Sequence, residues 1–260
     1  MNKNTANKTR MLVLTAMFVT IAVVLRYLGI MIPIGGVGGM RISFAGFFSK
    51  LPAVLFGGAM GGAASGVVDI LGFLVKPEGG FIPLLTVTAI IGGVIVGVLW
   101  KKIKNFKAET FRLVFRIITA VIGIFTAVTF VTIYFFQDSF YGTVLSGLNS
   151  SRYSLFTYGS LLTFLLCVIV CATDYFIVKK QAKLSQTFMR LLFILLCANL
   201  TVTTLNTFIL RSFFPALGNL SFLIYYIPRL IEEVLMTIIQ CYGMSFMLNM
   251  LKKLRLDRTI

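Results

Sequence analysis

The chain has 260 residues, of which 58% are hydrophobic and only 12% charged, and its mean hydropathy is +0.96. No water-soluble globule hides that much apolar surface, so composition alone makes it an integral membrane protein. The net charge of +16 does not imply nucleic acid, because the basic residues fall between apolar runs, where they set topology and meet anionic headgroups.

A spanning helix needs about 20 mostly apolar residues, and eight candidate segments follow one another. Residues 11–32 form the first. Lys3, Lys8 and Arg10 precede it, but the run is too long for a signal peptide and lacks a small-residue exit, so it reads as an uncleaved anchor. Residues 44–59 and 62–75 are short, rich in Gly and Ala and nearly continuous, which predicts a tight helical hairpin with close backbone contact. Residues 83–100 predict a fourth helix, 115–136 and 154–178 two more, and 191–210 and 222–251 the last pair.

Charge tests that count. With the N-terminus inside, the inner segments carry Lys3, Lys8 and Arg10, the cluster from Lys101 to Arg116, then Lys179, Lys180, Lys183 and Arg190, and finally Lys252, Lys253, Arg255 and Arg258. The outer loops hold only Arg41, Lys76, Arg152 and Arg211. This is the positive-inside bias, and it predicts eight spans with both termini cytoplasmic.

Several polar residues gather at the outer ends. The stretch GVGGMRISF at 36–44 places Arg41 in the first outer loop, and KPEGGFIP at 76–83 forms the next. Glycine lets such loops approach a ligand closely, while proline pins their entry angles. Lys50 lies about two turns into the second helix and Asp69 in the middle of the third. Ionisable groups at such depths are costly unless paired or set in a wet cavity. Two readings of the pair stay open: a structural Lys50–Asp69 ion pair, or Asp69 as a pocket carboxylate accepting hydrogen bonds from a ligand's N–H groups, in an outward-facing pocket whose positive mouth suits an organic anion. Arg41 has its own alternative as a headgroup anchor. Asp174 reads as an interface pair beside Lys179 and Lys180, and Arg229 reaches Glu232 and Glu233 at i, i+3 and i+4.

The chain has no histidine, and Cys167, Cys171, Cys197 and Cys241 all lie in apolar segments without a CxxC pair. They read as small packing residues, and no metal, cofactor or catalytic set is expected. The P-loop pattern GxxxxGK[ST] is absent, so the chain is not itself an ATP-driven motor.

RISF (41–44), LPAVLFGGAMGGAASGVVDILGF (51–73), PEGGFIPLLTVTAIIGGVIVGVLW (77–100), LNTFIL (205–210) and IPRLIEEVLMTIIQ (227–240) together resemble the substrate-binding S component of an energy-coupling factor (ECF) vitamin transporter, folate type. The resemblance covers residues 11–104 and 190–251. It implies an all-α membrane protein, a six-helix S-component bundle in the cell membrane. That bundle would bind a vitamin on the outer side and dock on a transmembrane T component driven by two cytosolic ATPases.

On that plan, 1–10 is a cytoplasmic N-terminus and 11–100 holds helices one to four. An inserted basic loop and two-helix transmembrane hairpin occupy 101–189, expected on the face away from helix one. Helices five and six follow in 190–251, and 252–260 is a basic cytoplasmic tail. The resemblance implies a T-component docking surface of small residues on helix one, here Ala16, Thr20 and Ala22. It also implies a folate site in which the tail carboxylates suit Arg41, Lys50 or Lys76. The pterin ring suits Asp69 or Asn206 flanked by Phe44, Phe73 and Phe81. Asn206 and Arg229 are carried over from the LNT and PRL elements. The rival from another class is a self-sufficient secondary transporter of a small organic anion, although no internal repeat of the kind common in such folds is evident.

Overall fold

The computed structural model describes residues 3–34, 37–77, 79–103, 106–136, 138, 142–143, 150–180, 182–218 and 222–253, and its first helix ends before the first apolar run does. Helix α1 (Lys3–Tyr27) stops at Tyr27, and strands β1 (Ile30–Ile34) and β2 (Val37–Ile42) form an antiparallel hairpin. The cause is local. IMIPI alternates β-branched isoleucine, and Pro33 has no N–H to continue a helix; the register shifts between Ile32 and Pro33. The expected first span, 11–32, is thereby corrected to end at Tyr27. Lys76 closes this end of α1 by donating to the carbonyls of Tyr27 (3.4 Å) and Gly29 (3.1 Å), a cation placed on the negative pole of the helix.

Gly57 divides the next apolar stretch. Its φ of 95° lies where only glycine sits without strain, and it separates α2 (Ala45–Phe56) from α3 (Gly58–Val75). At 1.5 Å per residue the 12 residues of α2 reach about 18 Å, short of a bilayer core. The two helices fold back on one another as the expected tight hairpin. Helix α4 (Pro83–Ile103) then packs on α3 through glycine faces. A Cβ on Gly93 would lie 2.3 Å from the carbonyl oxygen of Gly61, a backbone atom that cannot swing aside. Between lipid-facing helices such close packing, rather than water exclusion, supplies the attraction. Gly93→Ala should therefore force α3 and α4 apart and cost about 1–3 kcal/mol, read as a lowered unfolding midpoint in detergent.

Four further helices of the bundle are α5 (Ala108–Phe135), α6 (Ser150–Lys180), α7 (Ala182–Phe213) and, after the single turn α8 (Pro215–Gly218), α9 (Phe222–Lys253). Among the described residues, seven helices are long and apolar enough to cross a membrane, and α2 is a shorter apolar one. Helix α7 is the hub: it packs on α4, α5, α6 and α9, and Leu191, Leu192, Ile194, Leu195 and Ala198 on it are almost wholly buried. Helices α5 and α6 pack on each other and on α7, and α6 also packs on α9, whereas α1 packs chiefly on α2 and α3. The pair thus sits on the side of the bundle away from α1.

At the end of the bundle opposite the β-hairpin, a closed polar cluster joins three helices. Arg112 of α5 donates through Nε to Asp174 of α6 at 2.9 Å and through its terminal nitrogen to Ser185 of α7 at 2.7 Å. Ser185 in turn donates to Asp174. Asp174 is therefore an interface group, as expected, but its cation is Arg112.

Candidate functional site

A cavity of about 270 Å³ opens among α1, α2, α3, α4, α7 and α9, in the half of the bundle nearer the hairpin. Its polar side chains fall into two groups.

The first group centres on Asp69, in α3. Arg26, in the last turn of α1, donates to its Oδ1 at 2.6 Å, and Thr86, in the first turn of α4, donates to its Oδ2 at 2.7 Å. The Arg26 stem lies flat on Gly72, where a Cβ would come within 2.2 Å of Arg26 Cδ. Nearby on the same wall, Thr88 donates to Oδ1 of Asn206 at 2.5 Å.

The second group centres on Asn199, which is 1% exposed at mid-α7. Its Oδ1 accepts from Lys50 of α2, and its Nδ2 donates to Thr237 at 2.7 Å and to Oε1 of Gln240 at 3.3 Å. Thr203 donates to Oε2 of Glu233 at 2.6 Å. The spacings explain the convergence: 199, 203 and 206 share one face of α7, and 233, 237 and 240 share one face of α9. Gly46 admits Gln240, since a Cβ there would lie 2.8 Å from its Nε2.

Two cations, Arg26 and Lys50, and two carboxylates, Asp69 and Glu233, line the one hollow. Their formal charges cancel. In lipid, ionised side chains persist only where partners and a polar cavity hold them, and each of these four has a hydrogen-bond partner.

Of the expected site residues, Lys50, Asp69 and Asn206 line the cavity together. Lys50 and Asp69 are not an ion pair; Lys50 binds Asn199, and Asp69 takes Arg26 instead. Phe73 and Phe81 pack on each other, ring centroids 5.1 Å apart, outside the cavity lining. Arg229 is buried away from it and donates to Tyr225 at 2.6 Å, its guanidinium lying over that ring; among the described residues it makes no hydrogen bond to Glu232 or Glu233, although its charge acts on Glu232. Arg41 stands on β2 paired with Met31, two residues before the cavity-lining Ser43, and its side chain lies outside the described residues. On α1, Ala16 and Thr20 are exposed, while Ala22 is fully buried and cannot present itself on their face.

Arg26, Asn199, Glu233 and Gln240 are cavity groups that the sequence reading did not place there. Among the described residues no cluster of His, Cys, Asp and Glu suited to a metal ion occurs.

The comparisons with known proteins converge on transport. The family model described as ECF-type riboflavin transporter, S component, matches residues 6–150, from α1 through α5. The folate transporter FolT of Clostridium novyi (strain NT) is 28% identical over 118 residues, an alignment covering 45% of this chain and 65% of that relative. The chain thus matches just under two thirds of the relative's length. No solved structure matches the chain. Seven helices long and apolar enough to cross a membrane, among the described residues, make this a multi-pass membrane protein, and with more than half its length matched by that model the chain belongs to the ECF-type transporter S-component family, not to an enzyme family.

Proposed function

We propose that this chain is the substrate-binding subunit of an ECF-type vitamin importer in the cell membrane, with folate as its cargo. On this reading it delivers the vitamin by docking on a T component driven by separate ATPases. One observation carries the binding role: charged side chains from helices far apart in sequence converge on a single hollow inside lipid-embedded helices, and ionisable groups gathered around a cavity within spans are the usual mark of a substrate path. The choice of folate is supported by the named relative. The cavity-lining Ser43 and Arg26 adjoin the hairpin end, and the charge bias of the loops supports an outward-facing orientation of that end. Ala16 and Thr20, exposed on α1, remain the proposed docking positions, and Arg41 the proposed partner of a tail carboxylate.

Uptake assays separate this from a self-sufficient carrier. Folate accumulation in cells expressing the chain should require co-expressed T component and ATPases; accumulation by the chain alone would assign it to secondary transport. Lys50 gives a second check. Lys50→Met removes a charged donor from the cavity, and such bonds contribute about 1.5–3 kcal/mol. Folic acid affinity measured by calorimetric titration should fall by at least about tenfold, with folding retained.

A further inference from the structure

The hydrogen-bonding capacity left over in the cavity defines what it can read. Among the described residues, both oxygens of Asp69 already accept a bond, one from Arg26 and one from Thr86. Glu233 differs: Oε2 accepts from Thr203, and Oε1 accepts no hydrogen bond from the described residues. On the donor side, Lys50 has spent one N–H on Asn199, while among the described residues only the oxygens of the Asn206 and Gln240 amides are engaged and their nitrogens are unspent. Each oxygen of Asp69 thus has a donor already, and the carboxylate oxygen left with none is Oε1 of Glu233, with several unspent donors beside it.

Charge and size narrow the occupant further. The ionised groups sum to zero, so a charged group entering would leave one charge unbalanced in a low-dielectric site, whereas a neutral polar group would not. At about 270 Å³, the hollow falls below the roughly 300–1,000 Å³ that encloses a drug-sized ligand. It has room for a fused ring system but not for a long tail as well.

From this geometry we infer that the cavity seats an uncharged fused heterocycle by a lactam edge, with Glu233 accepting the ring N–H and Lys50 donating to the adjacent carbonyl. Asn206 and Gln240 are the donors for further ring acceptors. The inference rests on the binding role proposed above and moves the recognition carboxylate from Asp69 to Glu233. It also gives one chemistry to the two names found by comparison, since the folate and riboflavin ring systems both carry a pyrimidine-type ring with N–H beside C=O. Any charged tail then lies toward the hairpin, outside the cavity.

Lumazine, a tailless bicycle with such an edge, and 1,3-dimethyllumazine, in which the ring N–H groups are blocked, test this on the full chain purified in detergent. Lumazine should bind the unmodified protein by calorimetric titration, and the dimethyl compound should bind at least tenfold more weakly. Glu233→Gln should weaken lumazine at least tenfold while leaving the already weak dimethyl compound unchanged. Equal binding of the two compounds, no lumazine binding, or a folded Glu233→Gln protein with undiminished affinity would each overturn the inference; the two-compound comparison needs no variant. If lumazine shows the expected pattern while folic acid and riboflavin fail to bind, the vitamin assignment falls and the lactam site stands.

Discussion

Arg26→Ala is expected to destabilise the protein by about 3–5 kcal/mol, the cost of stranding a carboxylate whose buried partner has been removed. Arg26 and Asp69 are 16% and 17% exposed and 2.6 Å apart, so water does little to replace the lost charge. Thr86 would remain as a donor to Asp69, but a neutral hydroxyl does not balance an anion in a membrane span. The effect should therefore be a marked drop in the unfolding midpoint in detergent. Replacing both partners with apolar residues of similar size, Arg26→Met with Asp69→Leu, should recover much of the loss, because no unpaired charge is left. An Arg26→Ala protein as stable as its parent would show that the pair does not hold α1 to α3.

The second large effect concerns the far end of the bundle. Asp174→Ala should cost a similar amount, about 3–5 kcal/mol, since it leaves Arg112 without its carboxylate and Ser185 without its acceptor. Asp174 is 5% exposed and its partner 15%. The cluster lies outside the cavity lining, so the two variants differ in a second readout. Arg26→Ala alters a cavity wall and should weaken ligand binding along with stability, whereas Asp174→Ala should loosen α5 and α6 from α7 with affinity unchanged in the folded fraction. Limited proteolysis near the α6–α7 connection, compared with calorimetric titration, reads both. Loss of affinity in Asp174→Ala would mean that the cavity depends on the position of the α5–α6 pair.

Much of the fold was legible because apolar runs and their flanking charges follow directly from the thickness of a bilayer. What the runs conceal are changes of backbone within them. Residues 30–34 are as apolar as the helix before them, so hydropathy carried the first helix through to 32; only Pro33 signalled the turn into a strand. Lys50 and Asp69 were found as cavity members because a charge inside a span is conspicuous. By the same rule Arg26 was findable, but its place near the end of an apolar run resembles an ordinary interfacial anchor.

Asn199 and Gln240 gave no such signal, being uncharged and surrounded by apolar neighbours. Their role depends on α7 and α9 facing one another, which no local pattern encodes. Glu233 was drawn toward Arg229 by helical spacing, yet Arg229 turns one turn back, to Tyr225. Ala22 was misjudged although periodicity was sufficient to place it: two residues beyond Thr20 is about 200° around a helix, the opposite face.

The most direct measurement is equilibrium binding of folic acid to the chain purified alone, without T component or ATPases, in detergent. Equimolar binding that competes with lumazine and is weakened by Lys50→Met is the predicted result. A folded protein that takes up neither folic acid nor any co-purifying small molecule, or one whose binding ignores Lys50, would contradict the claim that the polar hollow between α2, α7 and α9 is the vitamin site.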